Sequence, residues 1–170
     1  MSLIITCPRN LESKAEKEIF QILDEFGDNT KISKNHYSGI IEIETRLELI
    51  EILEKIREKI SNEPWELRYC ARIIPIQKKC ESNLEFIKQN VIELITCIKP
   101  NDSYKISLEK RDSKLIRNEI IANIANLLPN KVSLENPDWE ILIQILGTET
   151  GISVMPEKSV LSVSKIKRLD

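Results

Sequence analysis

The chain alternates short apolar runs with longer stretches in which apolar residues return every three or four positions. LIITC at residues 3–7 reads as a buried strand. Over residues 11–26, Leu11, Ala15, Ile19, Ile22 and Phe26 fall on one side of a helix. Asn10 is placed to cap that helix and Gly27 to end it. Residues 31–44 suit two strands around Tyr37-Ser38-Gly39. In the second, Ile41 and Ile43 alternate with Glu42 and Glu44, the mark of a half-solvated sheet. Thr45 and Glu48 offer a capping box for a helix lined by Leu49, Leu53, Ile56 and Ile60. Asn62-Glu63-Pro64 break it, and a strand resumes over residues 67–76. The order β-α-β-β-α-β is that of a ferredoxin-like unit.

The second half repeats the alternation. Ser82 and Glu85 suggest a capped helix with Leu84, Ile87, Val91, Leu94 and Ile98 inward. Tyr104, Ile106 and Leu108 alternate with Lys105, Ser107 and Glu109 as a strand. Ser113 is placed to cap the next helix, which carries Ile116, Ile120, Ile124 and Leu127 and stops at Pro129. Strands are expected at 132–134, 141–146 and 152–154, the last two forming a hairpin. The expected class is α/β (α+β): a ferredoxin-like module over residues 1–66, a second α/β module over 67–157, and a tail, 158–170, that frays or docks as an edge strand.

At 170 residues the chain is long enough to bury a core without disulfides. Cys7, Cys70, Cys80 and Cys97 stand far apart without a C-x-x-C pair, so reduced thiols are expected and no metal centre. The first ten residues lack a signal peptide's apolar run, and nothing approaches a membrane span, so a soluble, cytoplasmic protein is expected. Net charge is −2, but it is unevenly placed. Residues 1–65 hold 9 cations and 13 anions, residues 66–131 hold 12 and 8, and residues 132–170 hold 4 and 6. The middle third is the electrostatic footprint for a polyanion. An aromatic fraction of 5% argues against successive bases stacking on aromatic platforms.

Within that third, Lys110, Arg111, Lys114 and Arg117 gather where a strand hands over to a helix. Unpaired N–H groups at a helix start suit phosphate, and cations there are mildly unfavourable until an anion arrives. The bland alternative is an ordinary charged helix face. Arg68 and Arg72, on one face of an ideal strand, suit either phosphates or salt bridges. Lys78 and Lys79 read as loop residues, solvated or in contact with phosphate. Lys131 is a further phosphate candidate, and Asn136-Pro137-Asp138 reads as a turn. No catalytic site is expected: His36 lacks a partner motif, and Cys70 reads first as a small core residue. Four glycines without G-x-G-x-x-G argue against a cofactor site.

From Arg72 to Met155 the sequence resembles the THUMP domain of the tRNA-acetylation adaptor family. The matching pieces are RIIPIQKKCESNLEFI, YKISLEKRDSKLIRNEII, KVSLENPDWEILIQI and GISVM, in family order. One departure is Ser133, where the family commonly carries an acid. The resemblance implies a non-catalytic, tRNA-binding platform. Its partners would be tRNA and a separate RNA cytidine acetyltransferase, dependent on ATP and acetyl-CoA, that forms N4-acetylcytidine. It also implies that residues 1–71 are the ferredoxin-like module that precedes such a domain. Arg72, Lys110, Arg111, Arg117, Lys131 and Asn136 align with the family pattern, and their contact with RNA is inferred from charge. Two other functions compete: an RNA-modifying enzyme subunit with a centre at Cys70 or Asp138, and a scaffold for an acidic protein.

Overall fold

The computed structural model describes residues 1–28, 31–33 and 37–169. The chain folds as two compact units, Met1–Pro75 with Lys158–Asp170, and Ile76–Glu157.

The first unit runs β1 (Ser2–Thr6), α1 (Glu12–Glu25), β2 (Lys31–Ser33), β3 (Ile40–Glu44), α2 (Leu49–Asn62) and β4 (Arg72–Ile76). Its strands lie in the order β2-β3-β1-β4, with β1–β3 and β2–β3 antiparallel. That is the ferredoxin-like arrangement the periodicity predicts. In the β1–β3 register Leu3 faces Ile43 and Ile5 faces Ile41, all buried. Ala15, Ile19, Ile22 and Leu23 from α1 and Ile52, Leu53, Ile56 and Ile60 from α2 are buried with them.

The helix starts differ from expectation. Asn10 adopts φ 68° and caps nothing; Leu11 takes the cap position. Glu48 itself caps α2, accepting from the Ile50 and Glu51 N–H groups at 3.1 and 2.9 Å. Thr45 is freed to donate to buried Asp28. His36 lies outside the described residues.

Residues 158–169 complete this unit rather than fray. β9 (Leu161–Ser162) pairs antiparallel with β4, extending the sheet to β2-β3-β1-β4-β9. α5 (Val163–Arg168) buries Val163 and Ile166. Sequence periodicity places 67–75 with the second module, whereas hydrogen bonding ties β4 to the first sheet: Ala71 N–H reaches the Thr6 carbonyl at 2.7 Å. Pro64–Glu66 is a short 3-10 turn, and β4 begins at Arg72, later than expected.

The second unit comprises β5 (Lys78–Glu81), α3 (Leu84–Leu94), β6 (Tyr104–Arg111), α4 (Arg117–Ala125), β7 (Trp139–Leu146) and β8 (Glu149–Pro156). Sheet order is β5-β8-β7-β6, with β6 and β7 parallel over eight pairs and the rest antiparallel. A parallel pair needs a long crossover, which α4 supplies. Ile141, Ile143 and Ile145 of β7 face Ile87, Val91, Ile120 and Ile124 of the helices in one core. Residues 132–134 form no strand. Only a bridge joins Val132 to Tyr104, and Val132 and Leu134 are exposed. The Asn136-Pro137-Asp138 turn is anchored instead, with Asp138 Oδ2 accepting from Ser103 N–H at 2.8 Å.

Candidate nucleic-acid interface

The strand-to-helix junction of the second unit is longer than the sequence suggests. β6 runs on to Arg111 and α4 starts only at Arg117. Lys114 therefore sits in a turn before the helix, not on its first turn beside Arg117. The turn has local causes. Asp112 adopts φ 52°, the Ser113 hydroxyl accepts from Leu115 N–H at 3.2 Å, and Gly147 N–H ties the end of β6 through the Arg111 carbonyl at 2.9 Å. Ser113 thus stabilises the turn instead of capping the helix. Ile116 holds the cap position with no side-chain bond, so the first N–H groups of α4 lack a side-chain cap.

The four cations of this junction behave differently. Lys110 Nζ donates to the Leu115 carbonyl at 2.7 Å, and the Arg117 guanidinium donates to the Leu108 carbonyl. Arg111 and Lys114 are exposed. Beside the turn an open groove of about 840 Å³ is lined by Ser113, Lys114, Thr148, Ser82, Asn83 and Lys79. It lies where β6 ends, beside the Gly147-Thr148 turn of the β7–β8 hairpin. Glu81, Asp112 and Glu149 also line it, so its charge is mixed rather than purely basic. Asn83 caps α3, its side chain accepting from Glu85 N–H at 2.9 Å. That occupies donors of α3 that an anion would otherwise use.

The other sequence candidates are dispersed. Lys78 and Lys79 lie on strand β5, not in a loop, and each has a carboxylate partner: Glu93 for Lys78, and Glu149 at 3.5 Å for Lys79. Lys131 and Asn136 are exposed but sit at the other end of the sheet, where the Lys131 carbonyl accepts from Tyr104 N–H. Rising through β6 separates them from Lys114 by roughly 20 Å. Arg68 and Arg72 belong to the first unit. Arg68 precedes β4, so the expected shared strand face does not form. Its backbone N–H is held by Glu18 at 2.7 Å while its side chain is exposed.

The sequence pattern missed Ser82, Asn83 and Thr148 as groove residues. Only the hairpin turn at Gly147 hinted that this segment would return to the end of β6. Among the competing centres, burial first, and then the Glu18 charge, push the Cys70 thiol well above its ordinary range. Asp138 is spent on Ser103. Among the described residues no group of three His, Cys, Asp or Glu is placed to hold a metal, and no helix is long and apolar enough to cross a membrane.

A ferredoxin-like unit and an α/β unit with one parallel strand pair define the architecture. Comparison with known proteins adds a likeness: residues 81–155 match the THUMP domain. An uncharacterized protein of Methanocaldococcus jannaschii is 24% identical, aligning with 99% of this chain and 44% of its own length. PH1313 from Pyrococcus horikoshii superposes with a TM-score of 0.67 at 19% identity, over 91% of this chain and 54% of that one. A 4-thiouridine synthetase, solved as an RNA complex with bound ATP, superposes with a TM-score of 0.56 at 12% identity, over 95% of this chain and 41% of that one. The chain thus spans less than half the length of the curated relative it matches. At these identities the structural likenesses establish fold alone.

Proposed function

We propose that this protein is a non-catalytic adaptor that binds tRNA and presents it to a separate RNA cytidine acetyltransferase for N4-acetylcytidine formation. The observation that carries the RNA-binding part is the turn before α4. It exposes Lys114 and Arg111 beside an open polar groove, in the stretch that matches the THUMP domain. A protein of like fold solved as a complex with RNA supports the same reading. The mixed charge of the groove suits recognition of a folded RNA better than indiscriminate attraction. Affinity should still fall with salt as counterions return to the phosphates.

The adaptor part is supported by the state of the groups that could otherwise do chemistry. A buried thiol with a raised pKa is a poor nucleophile at neutral pH, which weakens the reading of Cys70 as a catalytic centre. The Asp138 carboxylate accepts two hydrogen bonds from Ser103, a structural use.

A filter-binding titration of tRNA against salt tests the first part. Three to five phosphate contacts give a log–log slope of a few units, and Lys114→Ala lowers it by a little under one. Unchanged slope and affinity remove Lys114 from the interface. Incubating the protein with tRNA, ATP and acetyl-CoA, with and without the acetyltransferase, tests the second. Acetylated cytidine formed by this chain unaided overturns the adaptor reading.

A further inference from the structure

Two of the four cations at the β6–α4 junction are directed onto backbone carbonyls. We infer that Lys110 and Arg117 are positioning residues: they hold the turn that presents Lys114, and leave phosphate binding to that side chain. Holding an RNA contact rests on the RNA-binding reading above; the hydrogen bonds that make the turn do not.

The pattern follows from strand geometry. In a parallel pair each residue directs its N–H and C=O to the same side. Tyr104 bonds outward, donating to the Lys131 carbonyl and accepting from Ser133 N–H, so even-numbered residues of β6 face away from β7. Arg111 follows the other parity, and its carbonyl accepts from Gly147. The Leu108 carbonyl therefore lies on the free edge of the sheet, where no strand can pair it. The Arg117 guanidinium takes that place.

Inside that loop a second one closes, from Lys110 Nζ to the Leu115 carbonyl at 2.7 Å. The bonds are nested: Leu108 to Arg117 spans nine residues, and Lys110 to Leu115 spans five. Ser113 closes the innermost turn through Leu115 N–H. Three side chains thus fix a segment that has no helix or strand bonds of its own. Because both partners are backbone carbonyls, the two side chains hold the turn without bringing a further carboxylate to it. Lys110 also shares the strand face of Tyr104 and Leu108, which belong to the core under the helices. Lys114, in contrast, makes no hydrogen bond or ion pair among the described residues, which suits a contact residue.

The test compares Lys110→Ala, Arg117→Ala and Lys114→Ala in the full chain, with unfractionated tRNA as probe. It reads tRNA affinity across salt and backbone amide exchange over residues 111–117. For Lys110→Ala and Arg117→Ala we expect affinity to drop about threefold to tenfold at fixed salt, with the salt slope nearly unchanged and faster exchange in the turn. Lys110→Arg and Arg117→Lys, which still donate to a carbonyl, restore both readouts. Lys114→Ala lowers the slope with exchange unaltered. A slope reduced by about one at Lys110 or Arg117, with normal exchange, makes that residue a phosphate contact and overturns the inference. Should Arg117→Ala fail to fold, Lys110→Ala makes the same comparison. If the wild-type chain does not bind tRNA, the RNA reading fails, while exchange still decides whether the two side chains hold the turn.

Discussion

Glu18 shows how much one side chain organises. Its carboxylate accepts from the N–H groups of Arg68, Tyr69 and Cys70, at 2.7, 2.9 and 3.2 Å, and so fixes the segment before β4. Lys14, one helical turn earlier, places its ammonium 5.2 Å from the Tyr69 ring centre. Removing the acceptor orphans several donors at once. Glu18→Ala should therefore cost about 2 kcal/mol in urea unfolding, with Glu18→Gln losing less. The cysteines should differ in reactivity. At pH 8 a thiol reagent is expected to modify exposed Cys97 first and Cys70 only at the rate of opening. Carboxylates set the acid limit. Asp102 is held below its ordinary range first by the Trp139 indole N–H, then by Lys99 N–H, and Glu12 first by Gly39 N–H. A depressed folded-state pKa contributes stability above the unfolded value, near pH 4, and loses it as pH falls through the folded one. Unfolding followed from pH 7 to pH 3 should show that loss, and Asp102→Asn should flatten it.

The helices and strands were legible where period alone decides them. The stripe from Ala15 to Ile22 appears as read, whereas Glu42 is buried beside Ile41 and Ile43, so the strand is not half-solvated as its alternation suggests. Caps were not, because several oxygen-bearing side chains compete within three residues of each helix start. Glu48 displaces Thr45, and Asn83 displaces Ser82. The late start of α4 was illegible for a related reason: Ser113 finds a donor two residues on and closes a turn instead. That shift removed Lys114 from the helix and changed what the basic cluster could be. Carboxylate partners for Lys78 and Lys79 come from distant segments, which no local pattern reveals. Close packing between strands gives a further expectation. An added Cβ at Gly151 would stand 2.9 Å from Ile76 Cδ1, and Ile76 is buried. Gly151→Ala should therefore destabilise the second unit by about 1–3 kcal/mol, measured by thermal melting.

The whole chain has an order of connection that its two halves conceal. Residues 76–157 form one unit between two parts of the other, and the final segment returns to β4. The expected division into 1–66, 67–157 and a separate tail missed this because β9 is only two residues long. Leu161, Val163 and Ile166 are nearly fully buried. Deleting residues 158–170 should therefore cost roughly 5 kcal/mol, about 1.5–3 for each apolar side chain before relaxation. Amide exchange should locate that loss in the first unit and leave β6–β8 protected. The same connectivity sets a timetable for biosynthesis. The ferredoxin-like half leaves the ribosome first yet cannot close its last edge until the entire inserted unit has been translated. At ordinary elongation rates that wait lasts roughly 4–16 s. For that interval the outer border of β4 is open to any other nascent strand, and a chaperone would shield it.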